Sequence, residues 1–144
     1  MKSIRIGLLA VAAALLVSAC SGSSDGPAVE DPWGRISPAA ASNGAFYMTL
    51  NGGGSNDVLV SASSDACGVV ELHATTMADG VMSMQHLPEG IPVPADSQVN
   101  LEPGGMHVMC MNKQVEFEVG DTVELDLVFE SADPMTVTAE IRDQ

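Results

Sequence analysis

Short runs of β-forming residues, separated by turn formers, fill the chain from Trp33 to its end. No segment in this part shows a sustained helical period. Several short strands at close spacing, in about a hundred residues, predict an antiparallel β-sandwich or a small barrel. The predicted strands are GAFYMTLN, DVLVSAS, CGVVELHA, GVMSMQHL, TVELDLVFE and MTVTAEI, and the turns between them include NGGGSND, ADG, EPGG and VGD.

Residues 1–19 have the features of an export signal. Lys2 and Arg5 form a positive start, and the apolar run IGLLAVAAALLV is too short to remain as a transmembrane helix. The run ends in VSAC, which resembles a bacterial lipobox, where the signal is cut before the Cys and the Cys is lipidated. The alternatives are an ordinary signal cleaved nearby and a buried helix with an incidental Cys. We predict a lipoprotein signal peptide at 1–19 and lipidation of Cys20.

The residues that follow Cys20 have the composition of a flexible tether. SGSSDGPAVEDP is rich in Gly, Ser and Pro. We therefore predict a lipidated tether at 20–31 and one β-sandwich domain at 32–144. Such a protein is expected to be exported, periplasmic or on the cell surface, and held at the membrane by lipidated Cys20.

The charge of the mature chain excludes some partners. Cleavage before Cys20 removes two of the five basic residues and none of the nineteen acidic ones, which leaves a formal charge of −16. So acidic a protein is not expected to bind nucleic acid or to dock directly on anionic lipid. A cation-handling protein, a basic protein partner and a high-salt habitat all agree with this charge.

The segment GGMHVMCM, residues 104–111, concentrates potential metal ligands. If it is extended, His107, Met109 and Met111 share one face, and Met106, Val108 and Cys110 share the other. Methionine also fills gaps in cores, so the segment alone does not separate packing from metal binding.

A second cluster is predicted on a hairpin. Asp-Gly within ADG, residues 78–80, is a strong hairpin signal that folds ELHATTM back against VMSMQHL. All three His of the chain, with most of its nine Met, lie in these two clusters. Thioethers favour Cu(I), imidazole suits copper generally, and hard cations prefer oxygen ligands. The candidate ligands are His73, Met84, His107 and Met109, with Met77, Met82, His86 and Met111 nearby.

The order and spacing of these residues resemble the PCu(A)C (PCuAC) family of periplasmic copper chaperones. That family is marked by a His, a Met about ten residues later, and a His-x-Met roughly twenty residues beyond. Here ten residues separate His73 from Met84, twenty-two separate Met84 from His107, and one separates His107 from Met109. DPWGRISPAAASNGAFYMTL, VGDTVELDLVFE and MTVTAEI also resemble family strands, so the resemblance covers Asp31 to Arg142.

The resemblance implies an all-β, cupredoxin-like (immunoglobulin-like) antiparallel β-sandwich. It implies one solvent-accessible Cu(I) site, with His73, Met84, His107 and Met109 as ligands. Its function would be to carry copper to cuproproteins such as the binuclear copper centre of a cytochrome oxidase subunit. The remaining Met and His residues are expected to pack or to face solvent, although His86, with Met111, could hold a second ion.

The cysteines are expected to divide as one plus two. With Cys20 lipidated, Cys67 and Cys110 remain, and in an exported protein such a pair predicts a disulfide. Two buried free thiols are the alternative.

Three other functions compete with copper carriage. A blue-copper electron carrier needs a Cys thiolate beside two imidazoles, whereas Cys110 is expected on the face opposite His107. An enzyme is not expected, because the chain has no Cys-x-x-Cys pair, Gly-x-Ser-x-Gly elbow, phosphate loop or His-Glu-x-x-His helix. A structural surface lipoprotein is the third alternative.

Overall fold

The computed structural model describes residues 25–35 and 41–143. The predicted signal peptide and Cys20 lie outside these residues. No helix in the described ranges is both long and apolar enough to cross a membrane. Ten strands occupy the described residues: β1 Ala28–Arg35, β2 Gly44–Asn51, β3 Asp57–Ser63, β4 Cys67–Ala78, β5 Val81–His86, β6 Ile91–Val93, β7 Gln98–Leu101, β8 Met106–Lys113, β9 Thr122–Phe129 and β10 Met135–Arg142.

The strands form a β-sandwich, as predicted. They hydrogen-bond in the order β5-β4-β8-β2-β1-β10-β9-β3-β6, and β7 pairs separately with β2. Neighbouring strands are antiparallel except for β1 and β10, which run parallel. The strands that carry the predicted ligands, β5, β4 and β8, are therefore consecutive at one end of this path.

Alternation along the strands builds the core. In β9 every second side chain is buried, and in β8 Val108 and Cys110 are fully buried while Met109 between them is not. Alternate side chains of a strand point to opposite faces, so the apolar positions all meet inside the sandwich. The largest fully buried side chains include Phe46, Leu50, Leu59, Ile91, Leu125, Leu127 and Ile141.

The predicted hairpin between β4 and β5 is confirmed. Ala78 lies opposite Val81, and the two residues between them, Asp79 and Gly80, both have positive φ, 51° and 76°. Positive φ at both central residues is the type I′ turn that Asp-Gly favours. All six residues of β5 are exposed, so the hairpin extends beyond the core and presents both faces to solvent.

The predicted boundary between tether and domain is corrected by β1. This strand begins at Ala28, and Ala28, Val29 and Glu30 pair with β2. Residues 28–31, assigned to the tether from their polar and Pro-rich surroundings, therefore belong to the sheet. The alternation expected of a strand is interrupted in this segment, because the pairing with β2 shifts register between Glu30 and Trp33, where Asp31 has a positive φ of 46°.

Asp57, at the start of β3, holds a neighbouring turn. Its buried carboxylate accepts backbone N–H bonds from Val58 at 2.8 Å and from Ser131 and Ala132 at 2.9 Å each. Burial is the largest single influence and opposes ionisation, but the backbone donors together hold the pKa of Asp57 below its ordinary value of 3.8. The ionised carboxylate thus fastens the segment after β9 to the sheet.

Asp57→Asn is expected to lower the free energy of unfolding by about 2–3 kcal/mol at neutral pH. The amide is isosteric, but it removes the charge and turns an NH₂ group towards a backbone donor. A depressed folded pKa contributes stability above the unfolded pKa, and this contribution is lost as pH falls through the folded pKa. The difference between wild type and variant should therefore be complete at pH 7 and shrink below pH 3.8.

Urea unfolding of both proteins across this pH range measures the effect. Asp133→Asn, an exposed site near the same turn, is the matched control and should change stability by less than about 0.5 kcal/mol. A difference for Asp57→Asn that is independent of pH down to the acid limit would contradict the role of its charge.

Candidate metal centre

The three histidines form one row across three adjacent strands. His73 on β4 lies directly opposite His86 on β5 and directly opposite His107 on β8. The ring centroid of His73 is 5.8 Å from that of each neighbour. Tyr47 on β2 continues the row, with its ring centroid 6.3 Å from that of His107. Directly opposite residues share a face of the sheet, so the row lies on the face away from Val108 and Cys110.

The two predicted Met ligands lie on either side of this row. Met84 on β5 is opposite Thr75, two residues after His73, and Met109 on β8 is opposite Glu71, two residues before it. Because i and i+2 share a face of a strand, both thioethers are on the same face as the histidines. The register thus brings all four predicted ligands to one surface.

Hydrogen bonds fix the tautomers of His73 and His107. His73 Nε2 is 2.8 Å from a carboxylate oxygen of Glu71, and His107 Nδ1 is 3.1 Å from the carbonyl oxygen of Gly105. A carbonyl and an ionised carboxylate can only accept, so each of these nitrogens carries the proton. The lone pairs of neutral imidazole are then on His73 Nδ1 and His107 Nε2.

These two lone-pair nitrogens are buried and have no hydrogen-bond partner. Among the described residues they are the only buried side-chain nitrogen or oxygen atoms in that condition. Burying a polar atom without a partner costs about 1–3 kcal/mol, so such an atom in a folded protein needs an explanation. A ligand that accepts electron pairs from both imidazoles would provide one.

The electrostatics favour a neutral imidazole at His107. Burial lowers the pKa of His107, against the hydrogen bond to the Gly105 carbonyl, and a positive charge on His73 would lower it further. The hydrogen bond from His73 lowers the pKa of Glu71 and keeps its carboxylate ionised at neutral pH. His107 is therefore neutral at neutral pH, with its lone pair free for a metal ion.

A cleft of about 370 Å³ opens over this face. Exposure falls steeply across it, from 56% at Met84 to 3% at His107. An ion reaching the cleft would therefore meet exposed thioether first and buried imidazole last. The residues lining the cleft include Tyr47, Thr75, Met82, Met84, His107 and Met109.

The remaining candidate residues take different positions. His86 is in the histidine row but exposed, whereas Met111 is opposite Val69, two positions beyond Met109 and away from the row. The structure therefore brings His86 to the site and does not bring Met111 together with it. Met77 and Met82 face each other across the exposed hairpin.

Cys67 and Cys110 form a disulfide in the structure. Their Cα atoms are 5.4 Å apart, and the bond joins the start of β4 to β8, the two strands that carry His73 and His107. Cys110 is fully buried on the core face, so neither sulfur is presented to the histidine row. No group of three or more His, Cys, Asp or Glu in the described ranges is arranged to hold a metal ion. The candidate centre instead combines two imidazoles with two thioethers.

Comparison with known proteins supplies the family. The family described as "Putative lipoprotein LpqE-like" matches residues 27–141. The chain belongs to the LpqE-like lipoprotein family. One relative, "Putative lipoprotein Lxx21020" of Leifsonia xyli subsp. xyli, is 29% identical over 120 residues, which are 83% of this chain and 72% of that protein.

This LpqE-like chain is also similar to solved PCuAC domains, which confirms the family resemblance and the fold. The structure described as "Copper-bound PCuAC domain from PmoF2" is 25% identical, with a TM-score of 0.69 over 82% of this chain and 93% of that one. The solution structure of CuI-DR1885 from Deinococcus radiodurans is 26% identical, with a TM-score of 0.64 over 81% and 79% of the two chains.

Sequence reasoning gave no role to Glu71 or Gly105. The pattern Glu-x-His puts Glu71 on the same face of the strand as His73, and this pattern is the only sequence signal for a contact between the two side chains. Gly105 acts through its backbone carbonyl oxygen. Every residue has this group, so the identity of the residue does not reveal its role. Both groups orient the predicted ligands in this LpqE-like protein.

Glu71→Ala is expected to weaken by about 10- to 100-fold the affinity for a metal ion held by His73, the usual effect of losing an outer partner of a metal-binding histidine. Without the carboxylate, His73 is free to adopt the other tautomer and to rotate. Competition titration with a Cu(I) chelator measures the loss. Glu124→Ala, an exposed carboxylate on β9, is the control and should have no effect. Equal affinities for the two variants would show that Glu71 does not position His73.

Proposed function

We propose that this protein is an exported metallochaperone that binds one Cu(I) through His73, Met84, His107 and Met109. The observation that carries the proposal is the pair of unpartnered lone-pair nitrogens, His73 Nδ1 and His107 Nε2, buried on the face that also bears two thioethers. Imidazole and thioether together favour Cu(I) over hard cations. The copper-bound PCuAC domain of PmoF2 and CuI-DR1885 support the choice of metal.

The centre suits transfer as well as binding. A cysteine thiol must lose a proton before it binds a metal ion, whereas neutral imidazole and thioether bind without releasing one. Thioether also forms no disulfide in an oxidising compartment, in which cysteine pairs become disulfides. The exposed position of Met84 lets a recipient reach the ion from the cleft. We propose a cuproprotein such as the binuclear copper centre of a cytochrome oxidase subunit as recipient, and lipidated Cys20 as the membrane anchor outside the cytoplasm.

The blue-copper alternative is disfavoured by the disulfide between Cys67 and Cys110. A blue-copper centre needs a cysteine thiolate beside its imidazoles, and Cys110 is bonded to Cys67 on the core face. An intense blue colour on adding Cu(II) would reverse this preference. Failure of the purified protein to bind copper would favour a structural lipoprotein instead.

Titration of the purified protein with Cu(I) against a competing chelator, in ascorbate, tests the proposal. One equivalent should bind tightly, and Zn²⁺ or Mg²⁺ in excess should not displace it. Met84→Leu and Met109→Leu nearly conserve volume, so each should keep the fold and weaken Cu(I) binding by about tenfold or more.

Met111→Leu is the matched control for these variants, since Met111 shares β8 with Met109 but lies opposite Val69, two positions farther from His107. Its affinity should equal that of the wild type. If both Met84→Leu and Met109→Leu retain wild-type affinity, the ligand assignment is wrong.

A further inference from the structure

Three exposed methionines lie together on the β4–β5 hairpin, beside the candidate centre. Met77 and Met82 are directly opposite each other, and Met84 follows Met82 on the same face. Directly opposite Cβ atoms are about 5 Å apart and diagonal neighbours about 7–8 Å, distances that flexible Met side chains can span. We call Met77, Met82 and Met84 the hairpin thioether cluster.

Core packing does not explain this cluster. Met77 is 66% exposed, Met82 60% and Met84 56%, and every residue of β5 is exposed. Methionine in a core fills irregular gaps, but these side chains project from a hairpin that reaches beyond the core. Three large apolar side chains held in solvent on one face therefore need another reason.

The cluster is continuous with the candidate centre. Met82 and Met84 line the same cleft as His107 and Met109, and Met77 lies next to Met82 at the outer end. Methionine side chains thus line the path from the exposed end of the hairpin to the cleft that contains buried His107. Thioether sulfurs select soft monovalent ions, Cu(I) and its analogue Ag(I), over the hard cations that are abundant outside the cytoplasm.

We propose that the hairpin thioether cluster is a second, weaker site for a soft monovalent ion, which captures Cu(I) and passes it to the centre. This inference rests on the proposed function in one respect, because Met84 is shared by both sites. During transfer Met84 stays bound, Met77 and Met82 dissociate, and Met109 and the two imidazoles take their places. Copper remains Cu(I), and no proton moves, because His73 Nδ1 and His107 Nε2 already carry lone pairs.

The capture site is tested by titrating the protein, labelled with ¹³C at its methionine methyl groups, with Ag(I). The first equivalent should shift the methyl signals of Met84 and Met109, and a second, weaker step should shift those of Met77 and Met82. Met77→Leu/Met82→Leu should weaken the second step by about tenfold or more, and Met111→Leu should leave it unchanged. Absence of any Ag(I)-dependent shift at Met77 and Met82 would overturn the inference.

The two proposals fail in different ways. In His107→Leu the centre is disabled, and one weak step that shifts all three hairpin methyl signals together should remain. If the wild type shows the weak binding step without a tight one, the proposed function is contradicted and the hairpin site is supported. A tight step without a weak one would do the reverse.

The transfer step has its own measurement. Stopped-flow mixing of apo-protein with a Cu(I)–chelator complex gives the rate at which the centre is loaded. Met77→Leu/Met82→Leu should slow loading by about tenfold, because the ion must then reach Met84 without prior capture. An unchanged loading rate would overturn the transfer step.

Discussion

His107→Leu is expected to reduce Cu(I) affinity by about 100-fold or more while raising the stability of the apo-protein by about 1 kcal/mol. The two effects have one origin. His107 Nε2 is buried without a hydrogen-bond partner, an arrangement that costs folding energy and leaves a lone pair ready for the metal ion. Replacing the ring by an apolar side chain removes both the cost and the proposed ligand.

The gain in stability is not cancelled by the hydrogen bond that His107 Nδ1 loses. The Gly105 carbonyl also accepts a 3.0 Å bond from the backbone N–H of Thr75, so it keeps a partner in the variant. His107 is only 3% exposed, and a leucine there would be surrounded by Tyr47 and the neighbouring strands. Burying an apolar group in place of an unpaired polar one is favourable.

Urea unfolding of the apo-proteins and Cu(I) competition measure the two effects separately. His86→Leu is the matched control, since it replaces the exposed histidine of the same row. It should change Cu(I) affinity by less than about threefold and leave stability within about 0.5 kcal/mol. If His107→Leu loses stability and keeps its copper, then the buried imidazole is structural, and the proposed ligand set is wrong.

The fold could be predicted from the sequence because its signals are local. Strands β2 and β3 have the bounds of GAFYMTLN and DVLVSAS, and the Asp-Gly turn specified the hairpin that follows β4. Among the strands outside the predicted set, β6 and β7 are only three and four residues long, and β6 contains a proline. Such short segments carry too little alternation to be recognised.

The geometry of the site depended on contacts that the sequence does not encode locally. Parity along each strand placed Glu71 with His73 and His107 with Met109, but the register of β4 against β8 joins residues far apart in the chain. That register alone sets His73 opposite His107. The tautomer of His107, in turn, depends on the backbone carbonyl of Gly105, which any residue type would provide.

Loss of the Cys67–Cys110 disulfide is expected to lower the free energy of unfolding by about 4 kcal/mol. The two residues are separated by 43 positions, and a cross-link over a loop of this length restricts the unfolded chain by roughly that amount on the chain-entropy account. Both sulfurs are buried, so the Cys67→Ala/Cys110→Ala variant also loses some packing. Urea unfolding of wild type and variant, each with and without reductant, measures the loss.

Reductant should destabilise the wild type nearly to the level of the double variant and leave the variant unchanged. Because a small domain has about 5–15 kcal/mol of stability, the double variant should still fold, and its copper binding can be measured. The disulfide ties β4 to β8 from the core face, whereas the predicted ligands occupy the opposite face, so Cu(I) affinity in the folded variant should stay within about tenfold of the wild type. A larger loss would mean that one of these sulfurs ligates the metal ion. Two reactive thiols in the unfolded oxidised protein, besides any from Cys20, would show that the bond does not form.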